Sequence, residues 1–152
     1  MSDNGAYMKK VLLQVEDLNA VIEKIKFEDF VDKDNIYLLG SSMRGVTFAT
    51  CAVTHTDDIK GIILQYPAIF LNEQAYEIGA EYDVNGYKNP VLLLQGDSDN
   101  VVPDKYSIEL CDYYNSIDKN HCRMIIYNGQ SHVFTGKYKV IAAKDIYEFI
   151  NS

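Results

Sequence analysis

Four short apolar runs, each followed by a cluster of small and turn-forming residues, limit what this chain can fold into. They are Ile36-Tyr37-Leu38-Leu39, the stretch from Gly61 to Tyr66, that from Val91 to Gln95, and that from Arg123 to Tyr127. Apolar residues running on without polar alternation mark strands buried on both faces, the pattern of a parallel sheet. The segments between them keep a helical period. Val11, Val15, Leu18, Val21, Ile22 and Ile25 put one stripe on a helix over 9–26, and a second helix is predicted over 42–54. Tyr106, Leu110, Tyr113, Tyr114 and Ile117 mark a helix starting at Pro103, while Val140, Ala143, Tyr147 and Ile150 mark the last one. Alternating strands and helices predict right-handed crossovers and an α/β fold, a doubly wound, mainly parallel four-stranded sheet flanked by helices. With 152 residues, the chain fits one domain over 1–152. The less periodic stretch 68–89 mixes tyrosine, glycine and acidic residues, which predicts a short lid or connecting excursion.

In an open parallel sheet the loops leaving the carboxyl ends of the strands converge on one rim. Three of these loops carry reactive groups: Ser42 in Gly40-Ser41-Ser42-Met43-Arg44-Gly45, Asp99 in Gly96-Asp97-Ser98-Asp99, and His132 in Gly129-Gln130-Ser131-His132. A serine hydroxyl is a poor nucleophile until an imidazole takes its proton, and the imidazole needs a carboxylate to fix its tautomer. Taken singly, each residue has a plainer reading: Ser42 as a helix N-cap, Asp99 as a turn residue, His132 as a loop histidine. Ser41 and Asp97 stand as neighbouring alternatives for nucleophile and acid. The order of the three residues and their common place at strand ends favour nucleophilic catalysis.

With these motifs the chain resembles the α/β-hydrolase superfamily, and within it the bacterial cinnamoyl or feruloyl esterases. Asn35 through Met43 is similar to that family's strand and nucleophile elbow, Pro90 through Pro103 to the segment presenting its acid, and Asn128 through Phe134 to its histidine loop. The resemblance implies a serine hydrolase of carboxylic esters in which Ser42 attacks, His132 shuttles the proton, Asp99 orients His132 and the Met43 amide helps hold the oxyanion. Tyr66 and Phe134, near the rim, are candidate contacts for an aromatic acyl group. The elbow departs from G-x-S-x-G by having Arg44 at the second glycine position and Gly45 one step later. The match also starts after the family's first strands, and 68–89 is shorter than its usual cap. A truncated α/β-hydrolase fold is therefore expected, with the strand at Ile36–Leu39 left as a sheet edge that a second copy or a partner chain covers. The alternative function is a catalytically impaired remnant acting as a self-associating or partner-binding module.

Charge narrows the partners. With 22 acidic against 14 basic residues and a net charge of -8, the chain repels nucleic acid and anionic membranes and favours a small neutral or cationic substrate. Its first residues lack a signal-peptide pattern and no apolar run approaches a membrane span, so a soluble, cytoplasmic protein is expected. Cys51, Cys111 and Cys122 are odd in number and widely spaced, which suits reduced structural thiols. No metal or organic cofactor is expected, because neither His55 nor His121 stands in a ligand cluster along the sequence. A weaker alternative lets the start of the second helix and Arg44 hold an anion.

Overall fold

The computed structural model describes residues 4–71 and 84–152. Four strands, β1 (Tyr37–Ser41), β2 (Gly61–Gln65), β3 (Val91–Gly96) and β4 (Cys122–Tyr127), form one wholly parallel sheet in the order β1-β2-β3-β4. The register pairs Leu39 with Ile63, Ile63 with Leu92 and Leu92 with Arg123, so all four strands end on the same rim. Helices α1 (Asn4–Ile25), α2 (Met43–Thr54), α3 (Asp104–Ile117) and α4 (Lys137–Ile150) flank it. Asp32 starts the short turn before β1 by accepting the Asp34 N–H on its side chain.

The pleat divides the apolar strand residues between two cores. Ile62, Leu64, Val91 and Leu93 join Val46, Ala49 and Ala52 of α2, Leu110 and Tyr114 of α3, and Val11 and Ile22 of α1. Ile63, Leu92 and Leu94 face the other way, onto Ala142 and Phe149 of α4. Each fully buried leucine or isoleucine contributes about 1.5–3 kcal/mol, so the central strands hold the sheet.

Three expectations need correction. β1 is not buried on both faces: Leu38 is buried, but Leu39 is 44% exposed, because β1 is an edge strand and α4 covers the sheet nearer β2 and β3. The last helix does not bury Val140, Ala143, Tyr147 and Ile150, all of them exposed. It carries a second apolar stripe, Tyr138, Ala142, Ile146 and Phe149, and the sheet takes the one that holds the large Phe149 ring. On α1 the stripe holds except for Val21, which is 52% exposed. The middle of the expected 68–89 excursion, 72–83, lies outside the described residues. Its flanks are anchored, since Ile69, Val84 and Tyr87 are core residues and the Tyr87 hydroxyl donates to the Ile59 carbonyl. Among the described residues, no helix is long and apolar enough to cross a membrane.

His121, at the amino end of β4, is buried against Tyr114, with ring centroids 5.4 Å apart, and neither ring nitrogen has a well-aligned hydrogen-bond partner. Burial pulls its pKa below the usual 6.5, only partly offset by the Asn89 backbone and Asp118. The unfolded chain therefore binds more protons than the folded one as pH falls through 6.5, and stability drops in that window. Melting temperatures between pH 8 and 5 should fall on the acid side, and His121→Phe should flatten that fall. An unchanged profile in the variant would contradict this assignment.

Candidate active site

Ser42 sits in the turn from β1 to α2 at φ 52° and ψ −124°, a left-handed φ that costs an L-residue about 1–3 kcal/mol. Backbone bonds hold it there: Ser42 N–H donates to the Gln65 carbonyl (2.9 Å), and the Ser42 carbonyl accepts from Gly45 (3.0 Å) and Ala68 (3.1 Å). Two glycines make the turn fit. A Cβ on Gly40 would stand 2.6 Å from the Arg44 carbonyl oxygen, and one on Gly45 would stand 2.9 Å from Pro67. Arg44 itself is exposed, beside Gln14, Asp17 and Leu18 of α1, so the requirement for a small residue falls on Gly45. The strained geometry has a chemical consequence. Ser42 makes no side-chain cap bond, which sets aside its plain N-cap reading, and its Oγ lies 2.9 Å from His132 Nε2.

The carboxylate partner is fixed more firmly than the other two groups. The Asp99 side chain is fully buried, and its Oδ1 accepts the N–H groups of Val101 (2.9 Å) and Val102 (2.8 Å). Oδ2 accepts from Gln95 Nε2 (3.2 Å) and faces His132 Nδ1 at 2.8 Å. Gln95 is held in turn by the Ser107 hydroxyl, which donates to its Oε1 at 2.7 Å. Gln95 and Ser107 were not foreseen; a glutamine inside an apolar run, at the end of β3, was the available signal. Because a carboxylate only accepts, Nδ1 carries the ring proton and the Nε2 lone pair faces the serine O–H.

The acid and histidine loops lie against each other because Gly96 has no side chain; a Cβ there would overlap the Gln130 carbonyl. Ser98 N–H donates to that carbonyl (3.0 Å), and the Asp97 carboxylate accepts the Gly129 N–H (2.7 Å). Asp97 therefore ties the two loops together and does not face His132. Ser41 points elsewhere too, toward Gln65.

Met43, the first residue of α2, has no intrahelical acceptor for its N–H. Tyr66 follows β2 with its ring 4.8 Å from the imidazole. Phe134 needs correction as a substrate contact: it is 4% exposed, edge-on between Tyr66 and Tyr127, and so belongs to the core.

Two other groups that could react or bind a metal are held in check. Glu23, His55 and Asp58 bring possible ligand atoms within 4.8 Å of one another, but the Lys26 ammonium already bonds both carboxylates (3.0 and 2.9 Å). That hydrogen bond holds Asp58 below its ordinary pKa. Burial pushes the Cys51 thiol up to about 11, so it is protonated at neutral pH. A cavity of about 490 Å³ lies at the opposite end of the strands, lined by Tyr37, Lys60 and Pro90, away from Ser42 and His132.

The model of the family described as serine aminopeptidase, S33, matches residues 3–82, and that of the prolyl oligopeptidase family matches residues 71–152. No curated protein matches the chain by sequence. Among solved structures it is similar to Est1E from Butyrivibrio proteoclasticus, with a TM-score of 0.71 and 20% identity over 90% of this chain and 69% of that one. Est1E has also been solved with ferulic acid bound. Dipeptidyl peptidase 4 of Porphyromonas gingivalis gives a TM-score of 0.74 at 16% identity, covering 97% of this chain and only 24% of that one. A monoacylglycerol lipase of Paleococcus ferrophilus gives 0.69 at 16% identity, over 92% and 74%. At such identities the likeness shows a shared fold.

The tight approach at the elbow is open to test by urea denaturation. Gly40→Ala should lose about 1–3 kcal/mol, the scale of overpacking against fixed backbone, whereas Arg44→Ala should stay within about 0.5 kcal/mol of the parent protein. Equal stabilities for the parent and Gly40→Ala would contradict the packing described.

Proposed function

This chain belongs to the α/β-hydrolase superfamily of serine hydrolases, and we propose that it hydrolyses small carboxylic esters through Ser42, His132 and Asp99. The observation that carries the reading is the unbroken pair of hydrogen-bond contacts, 2.9 Å from Ser42 Oγ to His132 Nε2 and 2.8 Å from His132 Nδ1 to Asp99. In this reading Ser42 Oγ attacks the ester carbonyl as Nε2 takes its proton, and Asp99 stabilises the imidazolium. The Met43 N–H donates to the developing oxyanion at the start of α2, where the helix dipole favours negative charge. His132 then returns the proton to the departing alkoxide, leaving an acyl group on Ser42. A water molecule, deprotonated by His132, attacks that acyl carbon and releases the acid with Ser42 restored. The net charge of -8 suits an uncharged ester better than an anionic one.

Turnover of a short-chain 4-nitrophenyl ester tests this directly. Ser42→Ala and His132→Ala should each lower kcat by about 10³-fold or more. Undiminished turnover in Ser42→Ala would overturn the reading, and cleavage of aminoacyl 4-nitroanilides with no ester turnover would move it to a peptidase.

A second reading rests on the exposed edge of β1. Among the described residues no strand pairs with its outer side beside Leu39, an arrangement prone to pairing with another strand. In this reading the chain is an impaired hydrolase whose β1 docks on a second copy or a partner chain. Sedimentation velocity at micromolar concentration should then show a dimer or larger species that Leu39→Lys dissociates. A lone monomer in both would contradict the self-association arm.

A further inference from the structure

We propose that Tyr66 is a positioning residue for His132, bracing the imidazole ring; this rests on the reading of Ser42, His132 and Asp99 given above. The hydrogen-bond contacts on His132 reach the ring only at its two nitrogens, at 2.8 Å from Asp99 and 2.9 Å from Ser42. Two such contacts define an axis, and rocking about that axis is left unopposed. The side chain of His132 keeps 20% of its surface exposed, so the pocket does not enclose the ring completely. Tyr66 opposes the rocking: its ring centroid lies 4.8 Å from that of the imidazole, with the planes at 54°.

The brace is itself supported. Tyr66 N–H donates to the Leu94 carbonyl at 2.7 Å, which ties the end of β2 to β3. Its ring meets Phe134 edge-on at 5.1 Å, Phe134 meets Tyr127 edge-on at 4.8 Å, and the Tyr127 hydroxyl donates to Asp145 of α4 at 2.6 Å. An aromatic series thus runs from the imidazole through the second core to α4. Tyr66 also stands at φ 38°, a left-handed conformation unusual for a bulky residue. Strain of this kind collects where function fixes a side chain, and here it sits beside the histidine. When His132 takes the serine proton it becomes a cation, and 4.8 Å lies inside the ~6 Å range over which an aromatic ring attracts one. Neither effect uses the tyrosine hydroxyl.

Tyr66→Leu and Tyr66→Phe separate this role from substrate contact. In ester turnover, Tyr66→Leu should lower kcat about 10- to 100-fold, the scale set by small misplacements of a reacting group, with KM within about 2-fold. Tyr66→Phe should keep both constants. A raised KM with kcat unchanged would overturn the proposal and make Tyr66 a substrate contact, and an equal loss in Tyr66→Phe would overturn it in favour of the hydroxyl. Tyr66→Met serves as a second truncation should the leucine variant fail to fold. Proton NMR gives a readout independent of turnover: the low-field His132 Nδ1–H signal should persist in Tyr66→Phe and broaden in Tyr66→Leu or Tyr66→Met. If it is unchanged in all three, the brace is disproved. If the signal behaves as expected in a protein without Ser42-dependent turnover, the brace is supported and only the enzymatic reading falls.

Discussion

The left-handed backbone at Ser42 is the constraint on which the rest of the site depends. A serine in an ordinary N-cap conformation would spend its hydroxyl on the amides of its own helix. At φ 52° it does not, and the oxygen is carried out of the turn toward the histidine loop. The conformation survives because Gly40 lets the Arg44 carbonyl approach, Gly45 lets Pro67 approach, and the Gln65 and Ala68 backbones bind the serine's own peptide groups. Local strain is thus offset by a sheet whose central strands are buried on both faces.

A second close approach completes the site. The histidine loop is positioned by the acid loop, through Gly96 under the Gln130 carbonyl and through Asp97 on the Gly129 amide. Asp99 belongs to that same acid loop and is anchored from behind by Gln95 and Ser107. Carboxylate and imidazole are therefore held together over the end of β3, and the serine meets them from β1, two strands away. The distances within the relay follow from the parallel order of the sheet and from three glycines, with no contribution from the cavity at the far rim.

Much of this was legible in the residues. The four apolar runs become the four strands, and Ser42, Asp99 and His132, at the ends of three of them, meet in space. What escaped prediction depends on tertiary context. Periodicity could not choose between the two apolar stripes of α4, since only packing against the sheet decides which is buried, the one that holds Phe149. The resemblance placed β1 at the sheet edge, where the strand order puts it, but apolar content alone could not show that Leu39 faces solvent, because that depends on where α4 lies over the sheet. Gln95 is legible as a strand residue, which it is, but its hold on Asp99 appears only once Asp99 folds back over it. Phe134 was legible as aromatic and near the rim, but its burial behind Tyr66 was not.

Among the described serines, folding brings Ser42 to an imidazole that can take its proton. Reaction with a fluorophosphonate, read by intact mass and peptide mapping, measures this without reference to any natural substrate. A single adduct per chain is expected, on Ser42, and it should fail to form in His132→Ala at the same exposure. An adduct on another serine, or labelling of Ser42 that proceeds equally well without His132, would contradict it.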